Sequence, residues 1–170
     1  MAAPTISFDE QRWFVCHTKP RCEKKFSALM TAENFVHYLP LIESVRRYAD
    51  RERSFSKPLF PGYVFTEIPP DRKNRIYQQD LLVRAIWVEN QTLFLSQLEG
   101  VRRVVSSGLK AVLQPLLTKG TRVLITSGPL RGVEGYVEDP ASPRGIVIAM
   151  DVLQQGILVP MPLSQIKILH

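Results

Sequence analysis

Residues Lys57–Thr66 read KPLFPGYVFT. As an extended strand, the stretch alternates Leu59, Pro61, Tyr63 and Phe65 on one face with Phe60, Gly62 and Val64 on the other. Both faces are apolar or aromatic, the pattern of a strand covered on both sides. Pro61 lacks a backbone donor, which puts the entry end at an edge or a bend rather than deep in a ladder. Gly62 lets another backbone or a partner come close. Immediately upstream, Arg46–Lys57 carries five basic residues against Asp50 and Glu52. A charged tip therefore leads into an aromatic strand. Two readings follow: a core strand behind a solvated hairpin, or an aromatic docking surface beside a loop that faces nucleic acid.

Working outward toward the N-terminus, Arg12–Thr18 (RWFVCHT) has the length and apolar content of a strand. Pro20 is expected to open a helix at its first position, where a missing N–H does no harm. Cys22, Phe26, Leu29 and Met30 recur at helical spacing through about Glu33, and Asn34 is the expected stop. Phe35–Leu41 reads as a second strand and Glu43–Phe55 as a hairpin arm with its charged tip. On the other side, Pro69 and Pro70 break the chain, Asp71 can cap, and Arg72–Gln79 reads as a short polar helix. Leu82–Val88 is a further strand. Ser96 and Glu99 have the spacing of a capping box and predict a helix from there to about Val105. Ser106–Thr118, with Gly108, Pro115 and no clean period, reads as a linker that packs locally.

Residues 119–170 follow a different pattern. Five short β-rich runs, Arg122–Thr126, Val133–Glu138, Gly145–Asp151, Gly156–Val159 and Gln165–Leu169, are separated by Gly and Pro turns. Such spacing suits a small barrel. The reading is thus α+β: residues 1–105 as a mainly antiparallel sheet flanked by helices, 106–118 as linker, and 119–170 as an all-β barrel.

The 170 residues are 45% hydrophobic, enough for packed cores, and carry a net charge of +6. The basic excess occurs in both parts and favours a polyanionic partner. No apolar run approaches the roughly 18 residues of a membrane span, and MAAPTISFDEQ lacks the regions of a signal peptide. Cys16 and Cys22, the two cysteines, have no histidine at metal-ligand spacing beside them. A reduced, cytoplasmic protein without cofactor or metal is expected, most simply a monomer. There is no P-loop, no G-x-S-x-G and no convergent Cys/His/Asp set, so an enzyme is not expected. His17, His37 and His170 are dispersed and read as structural or terminal.

The most specific pattern is Gly120–Val137, GTRVLITSGPLRGVEGYV. Its G-x-x-V-x-I-x-x-G-P-x-x-G-x-x-G-x-V spacing resembles the KOW motif of NusG-type transcription factors and some ribosomal proteins. The first part resembles the NGN domain of the same family, through Arg12-Trp13-Phe14-Val15, the basic hairpin and Pro58–Phe65. The resemblance implies NGN, linker and an SH3-like KOW barrel in family order. It implies binding to the clamp helices of RNA polymerase through an apolar surface, matched here by Phe60, Tyr63, Phe65 and Ile86, with Tyr63 and Phe65 favoured because one strand face reaches a partner. It implies a hairpin at the upstream DNA fork, where Arg46, Arg47, Arg51 and Arg53 meet the non-template strand and Tyr48 and Phe55 stack on bases. In specialised relatives the start of the second NGN helix reaches the polymerase gate loop. That region reads Arg72-Lys73-Asn74-Arg75 here, so Lys73, Asn74 and Arg75 are the matching positions, without the His-Thr-Thr run of such a relative.

Two departures refine the resemblance. After the KOW Gly-Pro, housekeeping members carry a phenylalanine that grips a ribosomal protein or Rho, whereas this chain has Leu130-Arg131. PLFPGYVF is closer to specialised paralogues of the RfaH and UpxY type. The expectation is an antiterminator-type factor in which coupling to ribosome or Rho is in doubt. Arg122, Arg131, Arg144 and Lys167 form a modest basic set for nascent RNA, and Leu130 either meets a partner or fills the barrel. Pro129, Pro140, Pro143, Pro160 and Pro162 oppose a helical form of the KOW segment. The alternatives are a housekeeping factor and a KOW-type RNA- or ribosome-binding protein.

Overall fold

The computed structural model describes residues 12–77, 80–116, 119–139 and 144–170. The chain divides into two compact units, Met1–Gln91 and Thr92–His170.

In the first unit, β1 (Arg12–Thr18), β2 (Val36–Tyr38), β5 (Tyr63–Ile68) and β6 (Leu82–Trp87) form one antiparallel sheet in the order β2-β5-β1-β6. Helix α1 (Glu23–Ala32) and the short α2 (Lys73–Tyr77) complete the layer on one face. Phe14, Cys16, Val64 and Ile68 from the strands bury against Phe26, Met30 and Phe35 from α1 and its exit, and against Ile76 from α2. The other face carries a rung that crosses all four strands, Tyr38, Phe65, Val15 and Ile86, each directly opposite the next. Beyond the sheet, β3 (Leu41–Arg47) and β4 (Glu52–Pro58) pair with each other and, among the described residues, with no other strand, forming the hairpin.

Several elements begin elsewhere than the pattern suggested. Helix α1 starts at Glu23 rather than Pro20, because Arg21 takes the left-handed conformation (φ 63°), which a helix cannot include. Its end does fall where expected. Asn34 is left-handed (φ 59°), and the Phe35 N–H donates back to the Met30 carbonyl at 2.9 Å, a closing bond that satisfies an end-of-helix acceptor. KPLFPGYVFT is not one strand. It holds the end of β4, a turn, and the start of β5. The turn closes by the Tyr63 N–H on the Phe60 carbonyl at 3.2 Å, with Gly62 at φ 90°, a conformation that a side chain strains.

Helix α3 spans Gln91–Ser107, starting at the last residue of the first unit and running on into the second, so Ser96 and Glu99 lie inside the helix and form no capping box. The start is set by Gln91, whose amide donates to the Val88 carbonyl at 2.7 Å and the Trp13 carbonyl at 3.0 Å. The six strands β7 (Val112–Pro115), β8 (Thr121–Ile125), β9 (Glu134–Val137), β10 (Ile146–Met150), β11 (Gln155–Val159) and β12 (Ile166–Ile168) form one antiparallel sheet in the order β12-β8-β9-β10-β11-β7. Strand β7 comes from the stretch expected as a linker. Its residues pair with β11, where Leu113 lies opposite Ile157, so sheet partners supply the order that its own sequence does not announce. Helix α3 also belongs to this unit. Gly100 faces the sheet, where a Cβ would make ordinary contact with Ile148 at 3.4 Å and Val133 at 3.6 Å. The five runs read in residues 119–170 are all strands. Residues 140–143 of the expected hairpin loop at 139–144 lie outside the described residues, as do Gln78 and Gln79 of the expected Arg72–Gln79 helix.

Phe26, fully buried between α1 and the sheet, is the test of this core. Phe26→Ala should cost the first unit about 3–5 kcal/mol. Denaturant unfolding followed by near-UV circular dichroism would register that loss as an earlier transition.

Candidate protein and nucleic-acid interface

The two surfaces singled out by sequence lie on either side of the Gly62 turn. Strand β5 leaves it toward the sheet centre, and the hairpin lies before it. Of the four residues expected to dock, Tyr63 and Ile86 are half-buried, while Phe60 and Phe65 are fully buried. The Phe60 ring, in the turn, packs edge-on to Phe65 with centroids 6.0 Å apart. This corrects the expectation for Phe65 and Phe60: a strand with neighbours on both sides and an aromatic packed on its face presents no Phe65 surface. Tyr63 is oriented from the next strand, where His17 stacks on it at 5.0 Å and 24°. A Cβ on Gly62 would sit 3.5 Å from the same imidazole.

The hairpin has two chemically different faces, because directly opposite residues in an antiparallel pair share a face. One face carries Ile42, Ser44 and Arg46 opposite Lys57, Phe55 and Arg53. It has three cations, an aromatic ring and no carboxylate. The Arg46 guanidinium lies 5.1 Å from the Phe55 ring centre. The other face carries Glu43, Val45 and Arg47 opposite Ser56, Ser54 and Glu52, and Arg47 is paired to Glu52 at 2.9 Å. Arg46 and Arg53 stand directly opposite one another, an arrangement that disfavours the bare ribbon. The cation–π contact offsets about 0.5–1 kcal/mol of that. Tyr48 and Arg51 close the tip through mutual backbone bonds, and the side chains of Tyr48, Arg51 and Phe55 are exposed. Of the four arginines expected to meet DNA, Arg46 and Arg53 share the basic face, Arg51 is at the tip, and Arg47 lies opposite with its charge engaged. Phe55 and Lys57 join the basic face.

Lys73, Asn74 and Arg75 lie on α2, with Asn74 and Arg75 exposed. Arg75 pairs with Glu33 at the end of α1 at 3.0 Å. In the second unit Leu130 is buried, so it fills the interior rather than meeting a partner. Arg131 is exposed, and its carbonyl accepts from Arg103, which also holds the Pro129 carbonyl at 2.9 Å. Arg122 pairs with Glu134, and Arg144 with Glu138 at 2.8 Å. Two cations expected to meet RNA are thus neutralised locally, while Lys167 is exposed on β12. Among the described residues no group of three potential ligands could hold a metal, and no helix is long and apolar enough to cross a membrane.

Sequence reading missed two residues at the start of α1. Glu23 is buried and its carboxylate accepts the Gly62 N–H at 2.8 Å. The Lys24 ammonium donates to the Ser56 carbonyl at 2.7 Å and to its hydroxyl at 3.2 Å. Both look like ordinary first-turn charges in the sequence, and only the return of the chain gives them partners.

The family model described as transcription termination factor nusG matches residues 11–119. The chain belongs to the NusG family. The family is one of transcription factors, and the match covers the whole sheet of the first unit, the hairpin, α3 and β7. Among solved structures, "Domain interaction in Thermotoga maritima NusG" aligns at 17% identity and a TM-score of 0.49, covering 95% of this chain and 98% of that one. Conformation B of the MjSpt4:Spt5 complex aligns at 18% identity and a TM-score of 0.33, covering 92% and 95%. No curated protein matches.

Two outcomes test the geometry. Arg46→Ala/Arg53→Ala should weaken binding to a single-stranded oligonucleotide and flatten its log–log salt dependence by about 1.4, roughly 0.7 for each neutralised phosphate. Arg47→Ala should change that slope by less than half as much. In the second unit, the Arg144 and then the Gln114 hydrogen bonds hold the Glu138 carboxyl below its ordinary 4.5. A depressed carboxylate lends stability above its unfolded pKa and loses it as pH falls through the folded value. Carboxyl-detected NMR should place the Glu138 midpoint below 4.5, and Arg144→Ala should raise it.

Proposed function

We propose that the chain is a bacterial transcription elongation factor that binds RNA polymerase through its first unit and suppresses pausing or termination on selected operons. The observation that carries the reading is the pairing, in one NusG-family unit, of a sheet surface at Tyr63 and Ile86 with a hairpin basic on one face only. The sheet surface docks on the clamp helices of the polymerase. A buried aromatic contributes roughly 1.5–3 kcal/mol, so Tyr63 with Ile86 can anchor the contact. Phe60 and Phe65 shape that surface from beneath.

The hairpin then offers Arg46, Arg53 and Lys57 to the phosphates of the non-template strand and Phe55 to a base, with Arg51 and Tyr48 at the tip. The action is steric and electrostatic, with no chemistry of its own. In this reading Asn74 and Arg75, with Lys73 on the same helix, meet the gate loop. The later part of the second unit is read as the KOW module from its Gly120–Val137 spacing, and the PLFPGYVF segment as that of the RfaH/UpxY type. Leu130 in the interior supports a factor that does not grip Rho or the ribosome there. The ion pairs of Arg122 and Arg144 weigh against an RNA-binding role for that surface. Such a factor works in the cytoplasm, where the polymerase is, as a monomer.

The test is transcription by core polymerase on a template with a pause and a terminator, comparing wild type with Tyr63→Ala/Ile86→Ala. Longer transcripts that the double variant does not give are expected. Equal transcripts with and without protein, accompanied by RNA binding that survives the double substitution, would replace this reading with the RNA-binding one.

A further inference from the structure

The hairpin is a two-stranded ribbon with no sheet partner among the described residues, and such ribbons are marginal alone in water. Seven residue pairs run from Leu41–Pro58 at its root to Arg47–Glu52 at its tip. A small rotation at the root therefore swings the tip through a large arc. The direction of the basic face has to be fixed from outside the ribbon.

We propose that the first turn of α1 is a two-point clamp that fixes the hairpin relative to β5, with Lys24 as its positioning residue. Consecutive side chains hold the two ends of one segment. Glu23 takes the Gly62 N–H, one residue before β5 begins. Lys24 takes the carbonyl and hydroxyl of Ser56, in the last turn of ribbon before β4 ends at Pro58. Between these points Leu59 and Phe60 are buried, and the Leu59 N–H bonds the Pro40 carbonyl at 2.9 Å. The segment from Ser56 to Gly62 is thus pinned at both ends and in the middle.

Two further observations agree. A lysine in the first turn of a helix opposes the helix dipole, so Lys24 is not placed there for the helix's own stability. And Ser56 belongs to the mixed-charge face, opposite Glu43, so the clamp grips the ribbon from behind and leaves the Arg46, Phe55 and Arg53 face open. The clamp itself is a matter of geometry. Its consequence, a fixed angle between the polymerase-docking strand and the nucleic-acid face, rests on the function proposed above.

The experiment labels the exposed tip residue Ala49 and the exposed β6 residue Val83 as cysteines in a Cys22→Ser background, leaving Cys16 buried. Pulsed electron spin resonance on the full chain then reads the distance distribution. Lys24→Met, which keeps the stem and removes the donor, should broaden the distribution at least twofold. Lys24→Arg should keep it narrow. An unchanged width in Lys24→Met overturns the clamp, as does equal broadening in Lys24→Arg.

A second arm separates the clamp from its consequence. Lys24→Met should leave affinity for a free single-stranded oligonucleotide within twofold while reducing the effect on transcripts. A lower oligonucleotide affinity with a flatter salt slope would make Lys24 a phosphate contact and overturn the positioning role. A broadened hairpin with undiminished transcript effects would leave the clamp standing and overturn the proposed use of the hairpin.

Discussion

The first unit depends on one turn. At Gly62 the backbone takes φ 90° while its N–H meets a buried carboxylate, and only a residue without a side chain enters that conformation freely. On one side of the turn the chain is a ribbon in solvent. On the other it is a strand with neighbours on both edges and its alternate residues buried against α1. The buried Glu23 carboxylate accepts that amide, and losing the bond would remove a charge-assisted hydrogen bond from a largely buried group. Position, burial and hydrogen bonding converge on the same few atoms, which is why β5 and the hairpin are joined so tightly.

Much of this could be read from sequence where local chemistry decides. Asn34 ends α1 because Asn tolerates the left-handed conformation, and the Gly and Pro turns after residue 119 mark the five strands between them. The readings that failed are those in which distant parts decide. The capping-box spacing at Ser96 and Glu99 is genuine, yet Gln91 sets the start of α3 by reaching Val88 and Trp13. Val112–Pro115 has little strand character of its own and becomes a strand because β11 offers a free edge. The alternation of Tyr63 and Phe65 placed them on one face correctly. It could not tell that the Phe60 ring, carried round by the turn, would close over Phe65.

Positive charge is held differently on the basic face of the hairpin and in the ion pairs of Arg122 and Arg144. On the hairpin, two arginines are held directly opposite each other and a third cation shares their face, with every carboxylate of the strands on the reverse. In the second unit, Arg122 and Arg144 each find a glutamate. Charge gathered on a ribbon face whose strand residues include no carboxylate favours a polyanion far more than the same number of residues in ion pairs. The composition gives one net charge for the chain, and only the strand register reveals where that charge is available.

Under the proposed function, one face of the hairpin is directed at the displaced DNA strand while the sheet holds the polymerase. The most direct measurement is site-specific photo-crosslinking in a paused elongation complex, with a photoreactive phenylalanine at Phe55 on the basic face or at Val45 on the other. A crosslink from position 55 to the non-template strand and little from position 45 is expected. Equal crosslinking from both faces, or crosslinking only to polymerase subunits, would contradict it.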